Sequence, residues 1–138
     1  MREIKDPDLR NAIKDTILET LDIKFTEFTK ERIVATMPVT PKVHQPYGIM
    51  HGGASVVLAE SVASAGCSLF IDMEKQRMVG LEINANHIRS ISEGIVRGVG
   101  TPIHIGRSTM VWEVRILDEE DRLICISRCT IAILNNKK

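Results

Sequence analysis

Neither sign of charge dominates this sequence: 18 Lys and Arg offset 18 Asp and Glu among 138 residues, for a formal net charge of zero. A neutral chain has no electrostatic footprint for nucleic acid or for an anionic membrane surface, so any site for an anionic ligand must be local. The charged stretch Met1 to Arg10 lacks the apolar core of a secretory signal, which points to a cytoplasmic protein. Cysteine is scarce and odd in number, three in all, which argues against a disulfide framework. Cys125 and Cys129 lie in one strand-like run, ~13 Å apart along it, too far for a bridge. With Cys67 they read as small buried hydrophobes of a reducing compartment. No Cys and His spacing suits a metal, so neither a metal nor another cofactor is expected. Internal repeats and low-complexity segments are also missing. The length fits one domain, residues 1–138, with a core that needs no staples. Lys137 and Lys138 read as a solvated tail.

What is present is a short amphipathic start, a long apolar helix and a run of strands. Leu9, Ile13, Ile17 and Leu21 are spaced for one face of a helix near the N-terminus, within residues 1–21, packed on the outside of the fold. Ile23 to Phe28 and Arg32 to Val39 read as two strands; in the second, Ile33, Ala35, Met37 and Val39 share a face. Pro38, Pro41 and Pro46 mark an irregular loop. Beyond residue 71 the pattern is strand-like to the end: Met78 to Ile91, Gly94 to Ile105, Met110 to Leu117 and Leu123 to Leu134. In the third of these, Met110, Trp112, Val114 and Ile116 alternate with Val111, Glu113, Arg115 and Leu117; Trp112 reads as packing. A polar turn, Asp118 to Asp121, follows. Consecutive strands with short turns imply an antiparallel sheet, and one apolar helix with such a sheet gives an α+β architecture.

The helix, Gly52 to Ile71, carries a single charged residue, Glu60. A helix apolar on every side is normally buried. A membrane span is the rival by length, but four serines, two leading glycines and the amphipathic remainder favour a core helix wrapped by a curved sheet. A lone carboxylate in such a helix is costly unless something pairs or uses it. Its ordinary role would be an ion pair to an arginine of the sheet; its functional role would be as a reactive carboxylate lining a cleft. Ser64 lies one turn on and is placed to bond it or a water beside it. At the helix start, Gly52 and Gly53 leave backbone N–H groups free at a positive dipole end, open to the approach of a ligand oxygen. That is the geometry of an oxyanion site. Gln45 and His51 stand just before it, although a histidine there is more often a cap than a catalyst.

The run Gln45-Pro46-Tyr47-Gly48-Ile49-Met50-His51-Gly52-Gly53-Ala54-Ser55, followed by Leu58-Ala59-Glu60-Ser61, resembles the hot-dog fold acyl-CoA thioesterases. It is similar above all to the phenylacetic-acid-pathway branch and its relatives, which include the 4-hydroxybenzoyl-CoA thioesterases of the Arthrobacter type, the proofreading thioesterase of enterobactin synthesis and the 1,4-dihydroxy-2-naphthoyl-CoA hydrolases. Asn84 to Ser90 and Pro102 to Arg107 look like the same group. The resemblance implies a sheet wrapped around the helix and hydrolysis of an acyl-CoA, aromatic acyl groups included, to free acid and CoA. It assigns Glu60 the part of nucleophile or general base and Gly52 the N–H that polarises the carbonyl, with Gln45 and His51 beside that carbonyl and Ser64 placing water or substrate. Coenzyme A, part of the substrate, would lie along Gly80, along His87, Ile88, Arg89 and Ser90, and along His104, Ile105, Gly106, Arg107 and Ser108. Tyr47 departs from the family, where phenylalanine is frequent. Without the resemblance, Arg89 and Arg107 would read as ordinary surface arginines.

Helix geometry adds an inference of its own. Eight residues separate Gly52 from Glu60, a rise of about 12 Å, too far for one thioester to touch both. If they share a site, they come from different subunits of a two-fold dimer. The resemblance agrees, and it implies dimers that often double into tetramers. Two other readings compete. A hot-dog dehydratase acting on hydroxyacyl thioesters would have a Pro-Gly at the helix entrance, where this chain has His51-Gly52-Gly53. A non-catalytic acyl-CoA binding module would not need a carboxylate at position 60.

Overall fold

The computed structural model describes residues 3–137. Met1, Arg2 and Lys138, at the ends of the charged start and the lysine tail, lie outside the described residues. Six strands form one sheet: β1 (Lys24–Phe28), β2 (Ile33–Pro38), β3 (Gln76–His87), β4 (Ile95–Ile105), β5 (Thr109–Leu117) and β6 (Leu123–Asn135). Their order across the sheet is β1-β2-β4-β5-β6-β3, and every neighbouring pair is antiparallel. One long helix, α3 (Gly52–Cys67), packs on the face formed by β2 to β6. The α+β arrangement expected from the strand and helix patterns is therefore present.

The period-2 pattern decides which side faces the helix. Met110, Trp112, Val114 and Ile116 are buried, while Val111, Glu113 and Leu117 are half-buried and Arg115 is exposed. Ile33, Ala35 and Met37 are buried in β2 on the same principle. The turn after β5 is ordered by Asp118, whose carboxylate accepts hydrogen bonds from the Glu120 and Arg122 backbone N–H groups and from Arg122 Nε.

Two helix expectations are corrected. The N-terminal helix is two pieces, α1 (Pro7–Ile13) and α2 (Ile17–Thr20). Lys14 is extended and Asp15 sits at φ 60, which ends the first piece; the Thr16 side chain accepts from Leu18 N–H and starts the second. The break rotates the apolar stripe, so Leu18 turns inward with Leu9, Ile13 and Leu21 while Ile17 stays 52% exposed. The central helix also stops short of Ile71. Ser68 N–H bonds to the Ala65 and Gly66 carbonyls, tightening the chain into a 3-10 turn, Ser68–Phe70.

The stretch Gly52–Phe70 is long and apolar enough to cross a membrane by length and composition alone. Here it is the helix on which the core is built: Leu58, Ala59, Val62, Ala63 and Cys67 are fully buried against the sheet. The burial is one-sided, however. Val57, Glu60, Ser61, Ser64 and Ser68 lie on the opposite side and are only half-buried. The helix is thus not wrapped all round, and its single carboxylate is not sealed in the core.

Strand β3 forms one edge of the sheet. Its register with β6 slips between Gly80 and Glu82, a bulge at Leu81. Val79 and Leu81 are 42% and 62% exposed along this edge, which has no strand beyond it among the described residues.

Candidate active site

The loop into α3 is built from local hydrogen bonds. Gln45 N–H donates to the Ile49 carbonyl at 2.8 Å and Gly48 N–H donates to the Gln45 carbonyl at 3.0 Å, a turn that Gly48 closes at φ 78. The Gln45 side-chain oxygen accepts from Tyr47 N–H, so its NH2 group is the end left to donate. Met50 N–H reaches the Ile91 carbonyl and His51 N–H the Val43 carbonyl, which pin the helix entrance to the body of the protein.

His51 is the N-cap of α3. Its Nδ1 accepts from Gly53 N–H at 2.7 Å, so the neutral ring carries its proton on Nε2. This cap consumes one of the helix's leading N–H groups and leaves that of Gly52 without an acceptor among the described residues. A side chain at Gly52 would meet the His87 imidazole, whose Nε2 lies 2.6 Å from the position a Cβ would take. A shallow depression of about 260 Å³ gathers Gln45, Gly52, His87, Ile88, Arg89 and Ser90. Ser55, one turn into the helix, lines it too; its hydroxyl is buried without a partner among the described residues.

Glu60 stands elsewhere. With Ser64 it lines a cavity of about 870 Å³ between α3 and the N-terminal helices. Its carboxylate lies against Gly80 on β3, where a Cβ would collide with Oε2. Gly80, expected along CoA from the resemblance, is thus the residue whose missing side chain makes room for Glu60. Among the described residues Glu60 has no ion-pair partner, so the ordinary explanation of a lone helix carboxylate does not apply.

Of the remaining residues, His104 and Ile105 end β4, and Gly106 to Ser108 turn into β5. His104 Nε2 lies over Gly106, and the Ser108 carbonyl accepts from Ile133 N–H, opposite Met78 in the sheet. Met78 lines the Glu60 cavity, so this turn belongs to the Glu60 end of the molecule. His87 to Ser90 belong to the other end, where Ile88 and Arg89 N–H groups bond to the Ile124 carbonyl. One chain therefore separates its candidate residues: Gln45, Gly52, His87, Ile88, Arg89 and Ser90 at the helix entrance, Glu60, Ser64, Gly80 and the 104–108 turn toward its far half. Arg32, Arg97, Arg115 and Arg122 are held in ion pairs, whereas exposed Arg89 and Arg107 form none among the described residues.

The sequence reading missed the second wall of the large cavity. Leu9, Ile13 and Leu18 line it, where the apolar stripe had suggested only packing on the outside. An apolar stripe looks the same whether it covers a core or a cavity, so periodicity carried no signal for the difference.

All three thiols are free and buried. Burial pushes Cys67 up to about 11 and Cys129 up to about 12, with the Glu60 charge adding to the rise at Cys129. Neither is a thiolate near neutral pH, which removes them as nucleophiles. No three His, Cys, Asp or Glu side chains are grouped as metal ligands among the described residues.

Known proteins resemble this chain along most of its length. A family model described as the thioesterase superfamily matches residues 47–125. The chain is 54% identical over 114 residues to the 1,4-dihydroxy-2-naphthoyl-CoA hydrolase of Escherichia coli, covering 83% of each protein. It is 49% identical over 120 residues to the protein of the same description in Listeria monocytogenes, covering 87% of this chain and 97% of that one. Among solved structures, a mutant thioesterase from Pseudomonas aeruginosa superposes with a TM-score of 0.90 at 42% identity, covering 98% of both chains.

Proposed function

The chain belongs to the hot-dog thioesterase superfamily and is a thioester hydrolase, and from that premise we propose that it hydrolyses an acyl-CoA, aromatic acyl groups included, to the free acid and CoA at a site shared by two subunits. The observation that carries this reading is the carboxylate of Glu60: the only charge on α3, without an ion pair among the described residues, in a cavity wall beside Ser64.

The carbonyl oxygen of the thioester accepts from the Gly52 N–H at the positive end of α3 and from the Gln45 NH2 group. Donors held before charge develops are what makes such a pair effective in the transition state. Glu60 of the partner subunit acts on the carbonyl carbon by one of two routes. It takes a proton from water as the hydroxyl attacks, or it attacks directly and leaves a mixed anhydride that water then cleaves. In either case the C–S bond breaks, the thiolate of CoA departs and takes up a proton, and no metal or redox group is required. Trapping an acylated Glu60 peptide by mass spectrometry separates the routes. His51 acts by capping: it fixes the helix entrance so that the Gly52 N–H is the free one.

One edge of the sheet supports the dimer. The exposed edge of β3, with Val79 and Leu81 outward, is suited to pair with its own copy about a two-fold axis. Antiparallel pairing there would also bring the Gly52 end of one chain to the Glu60 end of the other. Arg89 would then come from the subunit that supplies Gly52, and Arg107 from the one that supplies Glu60. Both are placed to hold CoA phosphates.

A panel of acyl-CoA esters, with released thiol detected by a colour reagent, tests this function; failure to release CoA from any of them would sink it. Arg89→Ala and Arg107→Ala are each expected to raise KM about three- to thirtyfold and leave kcat nearly unchanged, because phosphate contacts at exposed arginines are shared by ground and transition states. Unchanged KM with halted chemistry would put the nucleotide elsewhere.

A further inference from the structure

The bulge in β3 fixes how two chains can meet. Resting on the shared site proposed above, we propose that the two-fold axis of the dimer passes between the two copies of Asn84, which sets the register in which β3 pairs with β3 of the partner subunit.

Of the two edges of the sheet, one is short and partly covered. β1 has 5 residues, loses register between Phe25 and Glu27, and takes the Ile4 N–H on its Phe25 carbonyl at 2.7 Å. β3 runs for 12 residues with no strand beyond it among the described residues. Such an edge is a template for another strand. A site that takes Gly52 from one chain and Glu60 from the other makes that strand a second copy.

The two reacting ends mark β3 at two places. The Gly52 position lies against His87, and the Glu60 carboxylate lies against Gly80. Along β6, His87 stands opposite Cys125, Asn84 opposite Arg128 and Gly80 opposite Ile131, the bulge at Leu81 taking up the odd residue. Asn84 is therefore three ladder positions from each. A two-fold axis normal to the sheet at Asn84 keeps both copies of α3 on one face. It also lays His87 of each chain beside Gly80 of the other, which is what bringing Gly52 to Glu60 of the partner subunit requires. Moving the axis by one ladder position would slide these ends ~7 Å past each other.

The same axis gives company to side chains that lack it in one chain. Val79 and Ile88 are 42% and 57% exposed. They lie beside Ala132 and Ile124, four ladder positions from Asn84 on either side, so each covers the other across the interface. Ile83 meets Ala85 of the partner subunit, and Glu82 meets Asn86 of the partner subunit, whose amide is a donor for it. The Asn84 amide donates to both Glu82 oxygens, at 3.1 and 3.3 Å, and its side-chain oxygen is left to accept from its own copy. The Asn84 carbonyl accepts from the Ser127 hydroxyl of β6 at 2.8 Å, so its backbone faces inward. The two Asn84 residues then form a non-hydrogen-bonded pair, with Cα atoms about 4.5 Å apart. An axis at Glu82 would instead set two like charges face to face.

The test is cysteine cross-linking of single variants, with oxidised glutathione as the oxidant and dimers read on a non-reducing gel. The parent is the control, since its own three thiols are buried. Asn84→Cys should form a covalent dimer at least about tenfold faster than Ile83→Cys, Glu82→Cys or Asn86→Cys alone, because only residue 84 brings its own copy within bridging range. Glu82→Cys and Asn86→Cys, unfolded together and reassembled, should cross-link to each other, and this pair makes the same test if Asn84→Cys melts early. The cross-linked Asn84→Cys dimer should keep the parent's turnover, because Asn84 is exposed on the face of β3 away from α3. Cross-linking of Ile83→Cys or Glu82→Cys alone, no cross-link at 84 in a folded variant, or a covalent dimer that is folded and inactive overturns the proposal. If mixed Glu60→Gln and Gly52→Val dimers still regain activity, the register alone has failed. If they do not, the shared site has failed with it.

Discussion

Glu60→Gln is expected to fold and self-associate as the parent does and to lose about a thousandfold or more of its hydrolysis, the scale on which a positioned base or nucleophile contributes. The substitution keeps the shape of the side chain against Gly80 and removes its negative charge and basicity. No structural penalty should accompany it, because Glu60 has no ion pair among the described residues to break and is half-buried on the open side of α3. Melting temperature and turnover measured on the same sample check it. Turnover close to the parent's would remove Glu60 from the chemistry, and acyl-CoA binding without hydrolysis in the parent itself would favour the binding module.

Gly52→Val is expected to be nearly as damaging for a different reason. The new side chain is placed where the His87 imidazole sits over the helix entrance. His87 is exposed and can swing away, so the fold survives. What cannot be recovered is the approach of a carbonyl oxygen to the Gly52 N–H, which the valine now shields. Loss of a single backbone donor of this kind costs about a hundredfold to a thousandfold in kcat. A variant that kept its rate would mean that the carbonyl is polarised elsewhere.

Most of the fold is legible in the sequence because its elements carry strong periods. The alternation from Met110 to Leu117 and the uncharged run after His51 name a strand and a core helix without help, and the long run of strands implies the antiparallel sheet. The carboxylate was legible for a different reason: one charge among apolar and small residues is conspicuous wherever the helix packs. What periodicity does not carry is one-residue backbone chemistry and relative placement. Nothing about Asp15 announces a left-handed backbone, so the N-terminal stripe reads as one helix although it is two. A composition low in charge suggests a helix buried all round, although small residues such as Ser61 and Ser64 serve equally well beside a cavity. The glycine at position 80 marks a close approach, but only the folded chain shows that the approaching group is Glu60. The rise of a helix, by contrast, is fixed, and eight residues of it already separate Gly52 from Glu60; their separate depressions agree with that arithmetic.

The shared site is tested most directly by mixing the two inactive proteins. Glu60→Gln and Gly52→Val are unfolded together in equal amounts and reassembled, and mass spectrometry confirms the mixed dimers. In a mixed dimer whose sites take Gly52 from one chain and Glu60 from the other, one site carries both defects and its mate carries neither. Random pairing makes about half of the dimers mixed, each with one intact site of two, so activity should return to roughly a quarter of the parent's by two-fold symmetry. If both residues act within one chain, every site keeps a defect, and mixed dimers with no recovered activity would contradict the account.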